Sequence, residues 1–213
     1  MADPHEIDLA TWPRRPHFEH FRGYLLPHAC VTARVDVTPL RRAAREGTQS
    51  IFAMLLYAAT RAANEVGELR QRIRGERVVE HAVVHPSFTV ANVDDTFSYC
   101  HGTFDAHAAT FFAQVKAARG RLADASVDEA PGDDRLFVTC LPWLDFTSLQ
   151  HPQRAPADSV PRIAWGRVVE RDDAAEVALS IQAHHALVDG LHLARFFARF
   201  EALAARPEHW LGG

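Results

Sequence analysis

Residues 180–192 read Ser-Ile-Gln-Ala-His-His-Ala-Leu-Val-Asp-Gly-Leu-His, and the rest of the chain is organised around them. The apolar run at residues 176–181 predicts a buried strand, and the apolar spacing over residues 191–205 predicts a helix. A strand that ends in a titratable pair and turns into a helix holds such side chains on a rigid frame. We therefore interpret His185 as a candidate general base. The alternative is that His184 and His185 are ordinary hydrogen-bonded histidines at a strand end.

The composition favours a folded protein with one sizeable core. The chain has 213 residues, of which 47% are hydrophobic, and its net charge of -4 provides no basic field for nucleic acid or an anionic membrane. Its three cysteines are odd in number and far apart, which favours a reducing compartment over a disulfide framework. The polar start of the chain has no signal-peptide pattern, and no apolar run is long enough to span a membrane. We therefore expect a cytoplasmic protein.

Thirteen histidines raise the question of a metal site. His184, His185 and His192 lie close in sequence, but the chain has neither an HExxH pattern nor paired CxxC spacing. It also has no Walker loop and no GxGxxG pattern, so no phosphate-binding loop of either type is expected. We expect no metal, and a metal-dependent enzyme stays an alternative.

The remaining periodicities predict a chain that mixes strands and helices without strict alternation. This pattern favours a mixed, largely antiparallel sheet with helices packed on one side, in a single domain over residues 1–213. Polar, irregular loops are predicted at 124–134 and 150–161. Strands are predicted at 31–38, 76–81, 87–93, 96–102, 136–141, 163–170 and 176–183, and helices at 50–64, 106–123 and 191–205, with another helix capped by Thr38.

Four segments resemble one known family. His-His-Ala-Leu-Val-Asp-Gly at residues 184–190 resembles the motif of the HHxxxDG acyltransferase superfamily. Trp-Pro-Arg-Arg-Pro-His-Phe-Glu at 12–19 is similar to the N-terminal signature of chloramphenicol acetyltransferases. Leu-Pro-Trp-Leu-Asp-Phe-Thr-Ser at 141–148 resembles their Pro-Trp segment, and residues 87–98 resemble their central hairpin. The segments follow the order of the family over essentially the whole chain.

This resemblance implies a fold, a reaction and an assembly. The implied fold is a two-layer α/β sandwich, and the implied assembly is a homotrimer with active sites at subunit interfaces. The implied reaction moves an acetyl group from acetyl-CoA, as co-substrate, to a hydroxyl of chloramphenicol in a ternary complex, which inactivates the antibiotic. No metal, nucleic acid or membrane enters this scheme.

The resemblance also implies catalytic roles. His185 would take the proton of the acceptor hydroxyl, a step that typically contributes about 10²–10⁴-fold, while His184 would pack on the other strand face. Asp189 has two readings: a carboxylate that orients the histidine, as in a Ser-His-Asp triad, or, as the family suggests, an ion-pair partner of Arg14. Thr139 matches the family serine whose hydroxyl stabilises the oxyanion.

Other positions carry implied structural and binding roles. Gly190 would permit the tight turn from strand to helix. Phe21 stands where many relatives have tyrosine, His28 where they have cysteine, and Ala164 near a family threonine, which bears on the affinity for chloramphenicol. The implied acceptor pocket comprises Phe21, Leu26, His28 and Leu149, and the implied CoA contacts are Arg167 and Trp143.

Three functions follow from these observations. The first is acetylation of chloramphenicol, and the second is the same chemistry on another small hydroxyl or amine acceptor. The third is a non-enzymatic binding module, for which His185 would be dispensable. The joint presence of His185, Asp189, Arg14 and Thr139 favours the enzyme.

Overall fold

A seven-stranded sheet carries the motif on its longest strand. The computed structural model describes residues 3–47, 49–122 and 132–212. Its helices are α1 (Arg15–Phe21), α2 (Thr38–Glu46), α3 (Ile51–Asn64), α4 (Ala108–Gly120), α5 (Gly190–Ala205) and α6 (Glu208–Leu211), with a 3₁₀ turn at Gly67–Arg70. Its strands are β1 (His5–Glu6), β2 (His28–Asp36), β3 (Gln71–Arg74), β4 (Arg77–Glu80), β5 (His85–Ala91), β6 (Phe97–His101), β7 (Arg135–Cys140), β8 (Arg162–Trp165), β9 (Val169–Arg171) and β10 (Ala174–His184).

The large sheet is mixed and largely antiparallel, as predicted. Its strands run in the order β2-β10-β8-β7-β5-β6, and β9 pairs with one end of β10. The pairs β5–β7 and β7–β8 are parallel, and the other pairs are antiparallel. β1, β4 and β3 form a separate three-stranded sheet. β10 pairs with strands on both sides and is buried along most of its length, which explains its largely apolar sequence.

The two faces of the large sheet differ in chemistry. Along β10, the side chains of Leu179 and Ile181 belong to the hydrophobic core on one face, where α3 and α5 pack together against the strands. The intervening Ser180, Gln182 and His184 share the opposite face and are buried there. The irregular segment after β7 covers part of this face, since the backbone N–H of His151 donates to Gln182 Oε1. The result is a two-layer sandwich in which α3 and α5 cover one face of the sheet, while β10 presents buried polar side chains to the other.

One helix was not predicted, and two local predictions were inaccurate. Residues 12–22 contain α1, which sequence periodicity did not reveal because Phe18 is its single buried residue. Thr38 is the first residue of α2 and not its N-cap, because its hydroxyl accepts a hydrogen bond from the Ala175 backbone N–H of β10. The strand predicted at 163–170 breaks at Gly166. Most of the loop predicted at 124–134 lies outside the described residues.

Gly166 is required where the chain crosses itself. A Cβ at this position would lie 2.5 Å from the Leu144 carbonyl oxygen and 3.3 Å from the Phe146 ring. The glycine therefore lets the segment after β7 approach the end of β8. This approach fixes Arg167, whose backbone N–H donates to the same Leu144 oxygen at 2.7 Å.

Candidate active site

His185 lies in the turn between β10 and α5. Its backbone N–H donates to the Pro27 carbonyl at 2.7 Å, and its Nδ1 lies 2.8 Å from the Val188 carbonyl oxygen. A carbonyl oxygen can only accept, so Nδ1 carries the proton and Nε2 keeps its lone pair. The Phe21 ring packs over the imidazole with 4.1 Å between centroids and 31° between planes. These contacts hold the ring in the tautomer that a general base requires.

Arg14 holds the turn at residues 185–189 together through three acceptors. Its Nε donates to the Ala186 carbonyl at 3.1 Å, and its Nη2 donates to the His185 carbonyl at 2.9 Å. Its Nη1 donates to Asp189 Oδ2 at 2.6 Å. The predicted contact between Arg14 and Asp189 is therefore present, and Arg14 is not a merely solvated charge. The planar guanidinium suits this arrangement, since its donors diverge in one plane.

Asp189 has a structural position and does not touch the catalytic ring. Its Oδ1 accepts from the Leu191 backbone N–H at 3.1 Å as the N-cap of α5. Burial alone would raise the pKa of Asp189, but the hydrogen bond from Arg14 and the nearby positive charges hold this pKa below its usual value. Because His185 Nδ1 bonds to Val188, the interpretation of Asp189 as an orienting carboxylate is not supported.

His184 and His185 are not equivalent. His184 is 3% exposed, and its Nδ1 accepts the Ala186 backbone N–H at 3.2 Å. Burial lowers the pKa of His184 to about 4, with a further contribution from the neighbouring His28. The His28 ring meets His184 edge-on at 5.3 Å, and its Nδ1 lies 3.1 Å from Gln153 Oε1. His184 is thus a neutral, packed residue.

A cleft of about 710 Å³ opens over β5, β6 and β7, on the face of the sheet opposite α3 and α5. Thr139 lies on this face in β7, in register with Ala164 of β8. Sequence reasoning missed the aromatic wall formed by Phe97 and Tyr99, whose only sequence signal is alternation along β6. The lining includes Thr139, Trp143, Leu149, His151, Phe97 and Tyr99.

Thr139 and His185 do not meet within one chain. Thr139 is in register with Ala164, and Ala164 with Ser180 of β10, which precedes His185 by five residues. With about 4.8 Å between strands and about 3.3 Å per residue, the two Cα atoms are roughly 15–20 Å apart. This separation is too great for both side chains of one chain to act on the same carbonyl carbon.

The other predicted residues fall into two groups. Phe21 and His28 lie beside the catalytic turn, and Leu26 is 68% exposed on the loop before β2. Trp143 is 67% exposed at the cleft, which Leu149 also lines, and Arg167 is exposed next to the segment that carries Trp143.

The expectation that Gly190 permits the tight turn from strand to helix was wrong. Gly190 is the first residue of α5, its φ is not in the left-handed region, and an added Cβ would meet no described atom within 4 Å. Nothing in the described part of the chain therefore requires glycine at this turn. The tight turn instead depends on the Arg14 contacts and on the N-cap at Asp189.

Comparisons with known proteins fit this architecture. The family model described as chloramphenicol acetyltransferase matches residues 3–201. The chain belongs to the chloramphenicol acetyltransferase family. This membership places it among the acyltransferase enzymes. It is 34% identical to the chloramphenicol acetyltransferase of Streptomyces acrimycini, over 99% of this chain and 98% of that relative.

Two further comparisons agree. Chloramphenicol acetyltransferase 3 of Escherichia coli is 27% identical over 93% of this chain and 95% of that protein. A solved structure named chloramphenicol acetyltransferase has a TM-score of 0.85, with 24% identity over 95% of this chain and all of that one. The latter supports the fold. No helix among the described residues has the length and apolarity to cross a membrane.

Proposed function

We propose that the protein transfers the acetyl group of acetyl-CoA to a hydroxyl of chloramphenicol, with His185 as the general base. The observation that carries the proposal is the hydrogen bond between His185 Nδ1 and the Val188 carbonyl, because it leaves Nε2 unprotonated. Such a nitrogen can remove the proton of a hydroxyl as the hydroxyl attacks. Relatives over nearly the full length are named chloramphenicol acetyltransferases, which supports this acceptor.

Thr139 is the proposed donor to the acetyl carbonyl oxygen. Its hydroxyl can donate a hydrogen bond to the negative charge that develops on this oxygen during attack. Thr139 lies in the lining of the cleft on β7. Acetyl-CoA supplies the acetyl group, and the exposed indole of Trp143 and the guanidinium of Arg167 are the proposed contacts for its long chain and its phosphates.

The functional unit proposed is a homotrimer with active sites between subunits. The separation of roughly 15–20 Å between Thr139 and His185, estimated from strand spacing, supports this assembly. In a ring of identical subunits, His185 of one copy can face Thr139 of the next through a repeated head-to-tail interface. Exposed Tyr24, Leu25 and Leu26 beside the catalytic turn provide apolar surface for such an interface.

The proposed acceptor pocket differs at Phe21 and His28 from the family pattern described above. Phe21 keeps the ring that packs on His185 but supplies no hydroxyl. His28 Nδ1 faces the Gln153 amide oxygen, so His28 Nε2 is the lone-pair acceptor of that ring. Together with Leu26 and Leu149, these residues are the proposed contacts for the acceptor. The second candidate function, acetylation of another small hydroxyl or amine compound, is favoured by this departure at His28 and Phe21.

Two assays separate these functions. The native protein and the His185→Ala variant are each incubated with acetyl-CoA and chloramphenicol, and the release of free CoA is followed spectrophotometrically. The product is identified by mass spectrometry. Acetylated chloramphenicol from the native chain, and a rate at least about 10²-fold lower for His185→Ala, would support the proposal. An absence of turnover at saturating drug would remove chloramphenicol as the acceptor, and a panel of other alcohols and amines would then test the second candidate. The proposed biological setting is antibiotic resistance in the cytoplasm.

A further inference from the structure

His192 is a buried histidine of the motif region to which the proposed mechanism gives no role. It occupies the third helical position of α5 and is 9% exposed. Its Nδ1 lies 3.1 Å from the Asp189 backbone nitrogen, and its Nε2 lies 3.4 Å from Glu68 Oε1 in the 3₁₀ turn. The ring therefore joins the start of α5 to the segment that follows α3.

Two groups of Asp189 lie next to His192 Nδ1: the backbone N–H, which forms the hydrogen bond at 3.1 Å, and Oδ1, which lies 3.0 Å away without forming one. The hydrogen bond indicates the tautomer. A backbone N–H can only donate, so Nδ1 must accept and the proton of the neutral ring must be on Nε2. Nε2 is also the ring nitrogen nearest to Glu68 Oε1, at an ion-pair distance of 3.4 Å. The arrangement is the opposite of that at His185, where Nδ1 is protonated and Nε2 is free. The site thus holds two histidines in opposite tautomers, each selected by a backbone group.

The hydrogen bond from Asp189 to His192 completes a capping box. In this motif the N-cap side chain accepts from the helix backbone, while the third helical residue accepts the N–H of the N-cap. Glutamate or glutamine usually fills the third position. Here His192 does so, and the same Asp189 presents Oδ2 to Arg14 at 2.6 Å. His192 therefore fixes the backbone of Asp189, while Arg14 binds the carboxylate of Asp189.

We propose that His192 is a positioning residue for acetyl transfer. It acts through Asp189 and Arg14, since Arg14 also holds the carbonyl groups of His185 and Ala186. Glu68 keeps His192 in the tautomer that accepts the Asp189 N–H. The inference rests on the acetyltransferase function proposed above and extends it to a residue that touches neither substrate.

Kinetics of two substitutions at His192 test the role. His192→Leu removes the acceptor, and a displaced catalytic turn is expected to lower kcat by about 10–100-fold with little change in either KM. His192→Gln supplies the acceptor that a capping box normally uses and is expected to restore kcat to within about threefold of the native value. His209→Leu is the matched control, because His209 is an exposed histidine beside Glu208.

The outcomes are distinct. Native kcat in a folded His192→Leu, or a His192→Gln as slow as His192→Leu, would overturn the proposal. If His192→Leu does not fold, the proposal is tested by the tautomers of His192 and His185 in the native enzyme. Long-range ¹H–¹⁵N NMR at neutral pH is expected to show His192 protonated on Nε2 and His185 on Nδ1, and a His192 protonated on Nδ1 would contradict the proposal. This signal does not depend on turnover, so a native chain that fails to acetylate chloramphenicol would remove the proposed function and leave the test of His192 intact.

Discussion

Arg14 and Asp189 are 175 positions apart in sequence, and their side chains meet with 2.6 Å between Nη1 and Oδ2. The same guanidinium donates to the carbonyl groups of His185 and Ala186. The side chain of Arg14, the N-cap residue of α1, therefore joins the N-terminal signature to the turn at residues 185–189. The fixed geometry of His185 depends on this junction as much as on β10.

Replacement of Arg14 by lysine should show how much the three-way contact contributes. A lysine ammonium keeps the charge but cannot reach the three acceptors in one plane. With Asp189 about one-third exposed, we expect a loss of about 1–3 kcal/mol in stability and a lower kcat. Urea unfolding and steady-state kinetics measure both. Arg15→Lys is the control, since Arg15 forms an exposed pair with Glu19, and an equal loss in this control would contradict the prediction.

Thr139 should affect the chemical step more than binding. Thr139→Val keeps the shape and removes the hydroxyl, so kcat should fall by about 10²–10³-fold with a nearly unchanged KM. Thr139→Ser keeps the donor and should retain most of the activity. Steady-state kinetics with both substrates would check this pair. A serine variant as slow as the valine variant would show that the hydroxyl is not the contributing group.

Mixed oligomers should recover activity from two inactive chains. If each site combines His185 of one subunit with Thr139 of the next, every mixed trimer of His185→Ala and Thr139→Val chains contains about one intact site out of three. The two chains are co-expressed with different affinity tags, and purification through both tags isolates the mixed trimers. Their rate of CoA release measures the number of active sites. Mixed trimers without activity, formed from folded chains, would argue against shared sites.

Stability should fall in mild acid because of buried neutral histidines. Burial lowers the pKa of His184 to about 4, below the usual value of 6.5, so the unfolded chain binds this proton first as the pH falls. The stabilisation is therefore complete above about pH 6.5 and is lost progressively towards pH 4, by at most about 2–3 kcal/mol for this residue. Burial lowers the pKa of His151 in the same direction.

His184→Asn offers the test of this pH dependence. Asparagine keeps an oxygen for the Ala186 N–H but does not titrate, so the difference in unfolding free energy between pH 7 and pH 5 should shrink. Urea unfolding at one fixed protein concentration measures the slope. An unchanged slope would assign the acid sensitivity to other groups.

Gly166→Ala should disturb the wall of the cleft. The added methyl group would lie 2.5 Å from the Leu144 carbonyl oxygen, which belongs to the backbone and cannot rotate away. We expect a loss of about 1–3 kcal/mol in stability and a higher KM for acetyl-CoA, because the segment with Trp143 must move. Gly190→Ala is the stability control, since a methyl group there meets no described atom within 4 Å. Equal losses in the two variants would contradict this explanation.

The sequence predicted those elements whose formation depends on neighbouring residues in the chain. The apolar run at residues 176–181 identified β10, and the apolar spacing over residues 191–205 identified α5. It also located the hairpin of β5 and β6, whose turn has Asp95 in the left-handed region with φ 62°. The contact of Arg14 with Asp189 followed from the family resemblance and not from periodicity.

What sequence reasoning missed has a physical reason. The short helix α1 buries only Phe18, so it leaves no helical period of apolar residues. The need for glycine at 166 arises from a crossing with residue 144, which no local pattern records. The acceptor of the His185 Nδ1–H is a backbone oxygen, and every residue has one, so the sequence cannot distinguish it from any other.

This last feature bears on how the enzyme can change. The atom that sets the tautomer of His185 is the main-chain oxygen of Val188, so no substitution of a single side chain can delete it. Mutations around the acceptor, such as those at Phe21 and His28, can accumulate while the base keeps its proton on the same nitrogen. The shape of the acceptor pocket and the tautomer of His185 therefore depend on different atoms, so substitutions can change the first and leave the second as it is.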